Sequence, residues 1–226
     1  NLCFIPCKET TAVHAEDRLQ TLSESVVGQI NVGLMPTFTR AVLTPVLLRF
    51  AKEYPEVRLS ISEAYSGELA EEVSEGRLDF AVVPALFELK ESLVSKRMGE
   101  DLECLVCGTD RDVPMNSNGV LLGQMSPLQL VLPGLGNARR RRIENYLIVN
   151  DIAVSDLMEL DTMHGTLGLV ANSDWVTILP GIMCQPDLDG TRRKVAPLAD
   201  PPLMVDYMRI EARKRPLRAA AQPFAD

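Results

Sequence analysis

The chain has only two histidines, His14 and His164, and neither stands at a spacing that joins it to a serine and an acid or to a second metal ligand. No carboxylates pair on a shared face near a plausible cleft, which removes the usual acid–base arrangement of hydrolases. Nothing in the sequence is assembled for catalysis. Positive charge is scarce as well: 23 Lys and Arg stand against 31 Asp and Glu, for a formal net charge of −8. Affinity for nucleic acid rests largely on neutralising phosphates, and the chain shows neither a helix-turn-helix pattern nor a basic helix, so it is not expected to bind duplex DNA alone. No apolar run approaches the roughly 18–20 residues of a membrane-spanning helix. The opening residues Asn1 to Cys7 lack the basic start and long apolar stretch of a secretory signal. No membrane partner and a cytoplasmic location are therefore expected. The chain does not open on Met and is expected to be part of a longer protein; residues 1–13 fit no pattern.

Cysteine is sparse and odd in number, five in 226 residues, which suits a reducing compartment rather than a disulfide framework. Cys104 and Cys107 lie three apart on an apolar run read as a strand, so they point to opposite faces and cannot share one metal. Cys3 and Cys7 fall in the patternless opening. No metal or cofactor is expected.

What is present is a strand–helix rhythm. Ile30, Val32 and Leu34 form a short apolar strand running into Met35-Pro36-Thr37-Phe38-Thr39, and helical spacing follows through Val42, Leu43, Val46, Leu47 and Phe50. After Tyr54-Pro55, Val57, Leu59 and Ile61 alternate as a second strand. Tyr65-Ser66-Gly67 opens a second helix with Leu69, Ala70 and Val73 inward, stopped by Gly76. Leu78 to Val83 is a near-continuous apolar strand, as a strand buried on both faces should be. Two successive βαβ units build a parallel sheet with right-handed crossovers. Ligands of such sheets sit beyond the carboxyl ends of the strands, which directs attention to Met35–Phe38, Tyr65–Gly67 and Val83–Ala85. The rhythm repeats downstream: strand at Leu128–Leu132, helix from Asn137 to Leu147, strand at Ala153–Leu160, helix at Met163–Ala171, strand at Trp175–Leu179. A further strand over Leu203–Ile210 and a closing helix over Leu217–Phe224 complete the chain.

The run GLMPTFTRAVLTPVLLRFAKEYPEVRLSISEAYSGELAEEVSEGRLDFAVVP resembles the effector-binding half of LysR-type transcriptional regulators. The marks are the hydroxyl residue after strand one, the Phe50-x-x-x-Tyr54-Pro55-x-Val57 step into strand two, and the Glu75-Gly76-Arg77-Leu78-Asp79 step into strand three. The resemblance continues through LVLPGLGNARRRRIENYL and LDTMHGTLGLVANSDWVTILPG. It implies an α/β fold of two Rossmann-like lobes with a cleft between them, like a type 2 periplasmic binding protein. The chain would cross between lobes near residues 84–86 and 198–203. Residues 1–27 would be a tail and the end of a linker helix, residues 28–84 with 200–226 lobe I, and residues 85–199 lobe II. It also implies a small-molecule effector, a homodimer or homotetramer, and contact with DNA only through an N-terminal domain absent from this sequence. A free-standing solute-binding protein or small enzyme on the same fold is the alternative, set back by the missing export signal and the missing catalytic constellation.

Thr37 stands where its hydroxyl can cap the following helix or meet a ligand; in the family this position commonly contacts effector, which favours the ligand. Ser66 holds the matching place after strand two, with the same two readings. Met35, Pro36 and Phe38 flank Thr37, and Val83, Pro84 and Ala85 would be hinge and cleft wall together. In lobe II the equivalent segment is Pro133 to Asn137, with Pro133, Gly134 and Asn137 facing the cleft; its GxG is only a weak phosphate motif. Arg139 to Arg142 wrap the whole helix circumference, so a solvated helix start is favoured over a carboxylate clamp. Met163 would add apolar surface to the cleft, or pack in the core. Helix termini aimed at the cleft suggest an anionic or carboxylated effector. Finally, the helix from Arg40 to Phe50 is apolar over more than one face, with Ala41, Pro45 and Leu48 widening its stripe. In the family this helix meets a lobe-II helix of a second subunit, here that from Asn137 or that from Met163; packing under the C-terminal helix is the alternative.

Overall fold

A computed structural model describes residues 27–85, 89–217, 221 and 224. Strand β1 (Gly28–Leu34) pairs in parallel with β2 (Val57–Glu63) on one side and β3 (Phe80–Pro84) on the other. The alternation of β1 puts Ile30 and Val32 with Phe50 and Phe80 on one face, while Met35, Leu69, Val73 and Val83 fill the other.

The helix expected from Arg40 to Phe50 is two helices, α1 (Pro36–Ala41) and α2 (Leu43–Glu53), because Val42 leaves helical geometry at φ −121° and ψ −12°. Pro45 is the cause: it has no N–H to give the Ala41 carbonyl, and its ring would collide with that carbonyl in an unbroken helix. The break lets α1 point independently of α2. Helix α3 (Ser66–Glu75) ends at Gly76, whose φ of 77° is the left-handed stop that a side chain resists.

Strand β9 (Met204–Ala212) lies antiparallel between β3 and the 15-residue β4 (Leu93–Cys107). Strand β4 then changes partners. Its first part, Leu93 to Leu102, pairs with β9, while Glu103 to Val106 pairs with β7 (Val176–Pro180) and Cys104 to Cys107 with β8 (Lys194–Pro197) in a second sheet. That sheet continues through β5 (Leu128–Leu132), parallel to both β7 and β6 (Val154–Glu159). Its helices are α4 (Ala138–Val149) and α5 (Met163–Ala171), and the short α6 (Gly181–Cys184) follows β7.

The first crossing between sheets therefore does not fall at 84–86. Pro84 still pairs with Tyr207 and the Ala85 N–H donates to the Asp206 carbonyl at 2.8 Å, so this segment is sheet interior. The chain crosses at Leu102–Glu103, beside the return at 198–203. Glu103 ties the two crossings together: its N–H donates to the Leu203 carbonyl at 2.8 Å, and its carbonyl accepts from the Leu198 N–H at 2.9 Å. Strand pairing of Val94 to Asp101 was hidden in the sequence because the segment is half exposed and charged, and only its partner β9 makes it a strand. The expected tail and linker helix over 1–27 lie, but for Val27, outside the described residues, as does most of the closing helix; Leu217 and Phe224 pack on the Phe50 and Phe80 cluster.

Candidate functional site

The carboxyl ends of β1, β2 and β5 open on the crevice between the two sheets. Thr37 lies in the first turn of α1, 3% exposed, but it does not cap the helix: Met35 is the residue before the first turn, and no side chain caps there. Ser66 likewise opens α3 behind Tyr65 without capping it. Its Oγ instead accepts from the Ala138 N–H across the crevice, at a long 3.4 Å. Asn137 does cap α4, its Oδ1 accepting from the Arg139 N–H at 3.0 Å, and Thr162 caps α5 through the Gly165 N–H at 3.5 Å.

These ends meet around an inner chamber of about 20 Å³, large enough for one water at most. Thr37, Asn137 and Thr166 line it, and they are 3%, 4% and 5% exposed. Among the described residues, neither the Thr37 hydroxyl, the Thr166 hydroxyl nor the Asn137 amide N–H₂ has a hydrogen-bond partner. The side chains are buried but their unpaired polar atoms keep access to the chamber, which is therefore a polar space that a hydrogen-bonding ligand can fill. Thr177 lines the same chamber but is satisfied by the Val131 carbonyl at 2.8 Å.

Beneath the chamber lies a buried ion pair. Arg139 donates through Nε and Nη2 to the two Glu103 carboxylate oxygens at 2.7 and 2.6 Å, and through Nη2 to the Ile178 carbonyl at 2.9 Å. Burial works against the guanidinium, yet the charge and hydrogen bonds of Glu103 outweigh it and hold its pKa above the ordinary value. The neighbouring Tyr207 hydroxyl is buried without a partner, and burial pushes its pKa up. Arg140 is also internal, donating to Glu144 at 2.7 Å and to the Pro133 carbonyl at 2.7 Å. The expected solvated helix start is thus half wrong: two of the four arginines are buried, and both are neutralised within the protein rather than offered to a ligand. Glu103, a lone acid in an apolar run, was the signal.

The inner chamber opens past Pro36, Tyr65 and Met163 into an outer one of about 570 Å³. At its rim Arg40 of α1 reaches across to Asp187 at 2.7 Å and to the Met183 carbonyl. Asp187 also holds Arg193 at 2.6 Å.

Of the residues singled out from the sequence, Met35, Pro36, Thr37, Pro133, Asn137 and Met163 line the inner chamber together. Phe38 turns away, ring to edge with Tyr207 at 4.7 Å, and Gly134 lies to one side, its N–H given to Asp161 at 2.9 Å. Val83, Pro84 and Ala85 line neither chamber, because their backbone is committed to β9. Thr166 and Thr177 were not foreseen. Thr177 is a polar residue within a wholly buried strand, which is a readable sign; Thr166 inside a helix gives none. Cys104 and Cys107 do face opposite cores, and no three His, Cys, Asp or Glu among the described residues are grouped to hold a metal ion. No described helix is long and apolar enough to cross a membrane.

The family model described as LysR substrate binding domain matches residues 23–226. Relatives include the HTH-type transcriptional regulator EstR of Acinetobacter baylyi, 24% identical over 161 residues, covering 71% of this chain and 52% of that protein. The nitrogen assimilation regulatory protein nac of Klebsiella aerogenes is 26% identical over 167 residues, covering 74% and 53%. The chain spans about half the length of these curated relatives. Among solved structures, the effector binding domain of QuiR in complex with shikimate superposes with a TM-score of 0.74 at 14% identity, over 88% of this chain and 94% of that one. That likeness carries the fold, two lobes about a cleft. With the family model covering nearly the whole sequence, the chain belongs to the LysR substrate binding domain family.

Proposed function

We propose that this chain is the ligand-sensing and oligomerising part of a LysR-type transcriptional regulator acting in the cytoplasm. A small molecule binds between its lobes, and the change in closure is passed to DNA-binding domains elsewhere in the whole protein. The observation that carries the reading is the inner chamber. Thr37, Asn137 and Thr166 come from both lobes, are almost fully buried, and present hydrogen-bonding groups that nothing in the protein satisfies. An effector that meets them must part the lobes, so its binding is coupled to their separation. The anion expected from the helix termini would gain no guanidinium from Arg139 or Arg140, which are paired with Glu103 and Glu144.

A thermal-shift screen of metabolites tests this, because a ligand of the native state raises apparent stability by mass action. Once an effector is found, Thr37→Val is expected to weaken it by about tenfold, the worth of one lost hydrogen bond in a dry site. The fold should be unchanged, since the hydroxyl caps nothing. Equal affinity of both proteins would remove Thr37 from the site.

Oligomerisation is supported by two apolar patches at opposite edges of the molecule. Val46 and Leu48 of α2 are 40% and 71% exposed, beside a groove floored by Leu59 and Ile61 of β2. Ile148 and Val149 at the end of α4 and Leu157 on β6 are 72%, 79% and 50% exposed. Helix α4 rather than α5 is then the partner of α2 in a two-fold dimer with two equivalent contacts. Sedimentation at micromolar concentration should give a dimer, reduced to monomer by Leu48→Glu. A wild-type monomer of 24.9 kDa throughout would refute this.

A further inference from the structure

We infer that the Tyr207 hydroxyl is a built-in bias toward opening, a donor that the closed cleft seals in without an acceptor. This role rests on the reading of the cleft as one that parts for its effector, and deepens it by naming what eases the parting. Tyr207 stands on β9, where its backbone pairs with Pro84 of β3 and Gly99 of β4. Its side chain runs to the join of the two lobes. The ring meets Phe38 of α1 edge-on at 4.7 Å, and the hydroxyl lies in the field of Arg139 on α4 and Cys184 at the end of α6. The residue is 5% exposed. Among the described residues, its oxygen is the one buried side-chain polar atom without a hydrogen-bond partner.

The carboxylates around it are already engaged. Both Glu103 oxygens receive Arg139, at 2.7 and 2.6 Å. Asp101 accepts the Leu102 N–H on one oxygen at 2.9 Å and the Ile182 N–H on the other at 2.7 Å. Burial, first of all, raises the pKa of the hydroxyl; Arg139 opposes this, and Asp101, Glu103 and Cys184 add to it. The group therefore stays a protonated donor, and a donor buried without an acceptor forfeits the hydrogen bonds that water would give it. What seals it in is the seam between the lobes. Helix α1, which carries Phe38, packs on α6, which carries Cys184, and Arg40 fastens the seam through the Met183 carbonyl and Asp187. Parting the lobes lifts this seam and admits water to the hydroxyl, so the penalty falls on the closed form alone. The seam holds the cleft shut, and Tyr207 keeps the balance within reach of a ligand.

Tyr207→Phe deletes the hydroxyl and keeps the ring against Phe38, so the fold should stand. Hydrogen exchange of the full 226-residue chain, parent against variant, reads the effect at two amides. Ala138 bonds to Ser66 across the crevice and exchanges when the lobes part. Val82 lies between β1 and β9 and exchanges when that lobe unfolds. Ala138 should exchange about tenfold more slowly in the variant, the size expected for relieving one unpaired buried group. Val82 should slow as well, since unfolding also wets the hydroxyl. An Ala138 rate that is unchanged or faster overturns the bias, and Val82 then gives the reason. Slower exchange at Val82 would mean that the hydroxyl stays sealed when the lobes part. Exchange at Val82 no slower than in the parent would mean that the hydroxyl has an acceptor or goes unmissed. No effector enters the measurement, so its failure leaves the effector-site reading to be judged by the metabolite screen.

Discussion

Replacing Glu103 with leucine is expected to cost the fold about 3–5 kcal/mol, the usual penalty for stranding a buried charge. Arg139 is 4% exposed, and without Glu103 only the Ile178 carbonyl remains to meet its guanidinium. The backbone bonds of Glu103 to Leu198 and Leu203 survive the change, so the loss reports the side chain and not the crossing itself. Replacing both partners, as Glu103→Leu with Arg139→Met, should recover most of the stability, because two apolar side chains need no solvation. Urea unfolding of the three proteins decides it. A single variant within about 1 kcal/mol of the parent, or a double variant no better than the single, would mean that water reaches the pair and the interior is not dry there. The consequence extends to the site: Arg139 sits beside Asn137 in the first turn of α4, so the pair fixes one wall of the inner chamber.

The lobes were legible in the sequence because each is made of βαβ units whose apolar periods are local. Ile30, Val32 and Leu34 alternate, Leu69, Ala70 and Val73 keep helical spacing, and both fell where the pattern put them. The path between lobes was not legible. Strand β4 owes its first ten residues to pairing with β9, more than a hundred positions away, and a half-exposed strand of Ser95, Lys96, Arg97 and Glu100 has the composition of a loop. The site divided in the same way. Thr37 and Asn137 stand at strand ends and helix starts, where topology alone directs attention. The alternative reading of Thr37 and Ser66 as caps fails because Met35 and Tyr65 hold the cap positions, which puts Thr37 two places and Ser66 one place too late to cap. Charge was the least legible property. Arg139 and Arg140 read as free cations until Glu103 and Glu144 are seen beside them, and the acids that face the outer chamber are scattered from Glu63 to Asp161 in the sequence.

Asp187 should prove the other costly position, for a reason that concerns movement. Its carboxylate is 2% exposed and holds two guanidiniums from opposite lobes, Arg40 of α1 at 2.7 Å and Arg193 at 2.6 Å. Arg193 in turn donates to the Leu167 carbonyl on α5 at 2.8 Å, so one acid links the helix that carries Thr37 to the helix that carries Thr166. Asp187→Ala leaves two cations facing each other in a poorly solvated place, at an expected cost of about 3 kcal/mol. Arg40→Ala removes the same bridge between lobes but leaves Asp187 paired with Arg193. Because Arg40 is itself one-fifth exposed, that variant should lose no more than about 1 kcal/mol. The two substitutions thus separate stability from closure. Both should speed hydrogen exchange at the Ala138 amide, whose long bond to Ser66 is too weak to hold the lobes together by itself. Exchange in Arg40→Ala as slow as in the parent would show that the rim contact follows closure without causing it, and the search for what holds the cleft shut would move to Pro36, Tyr65 and Met163, which line both chambers.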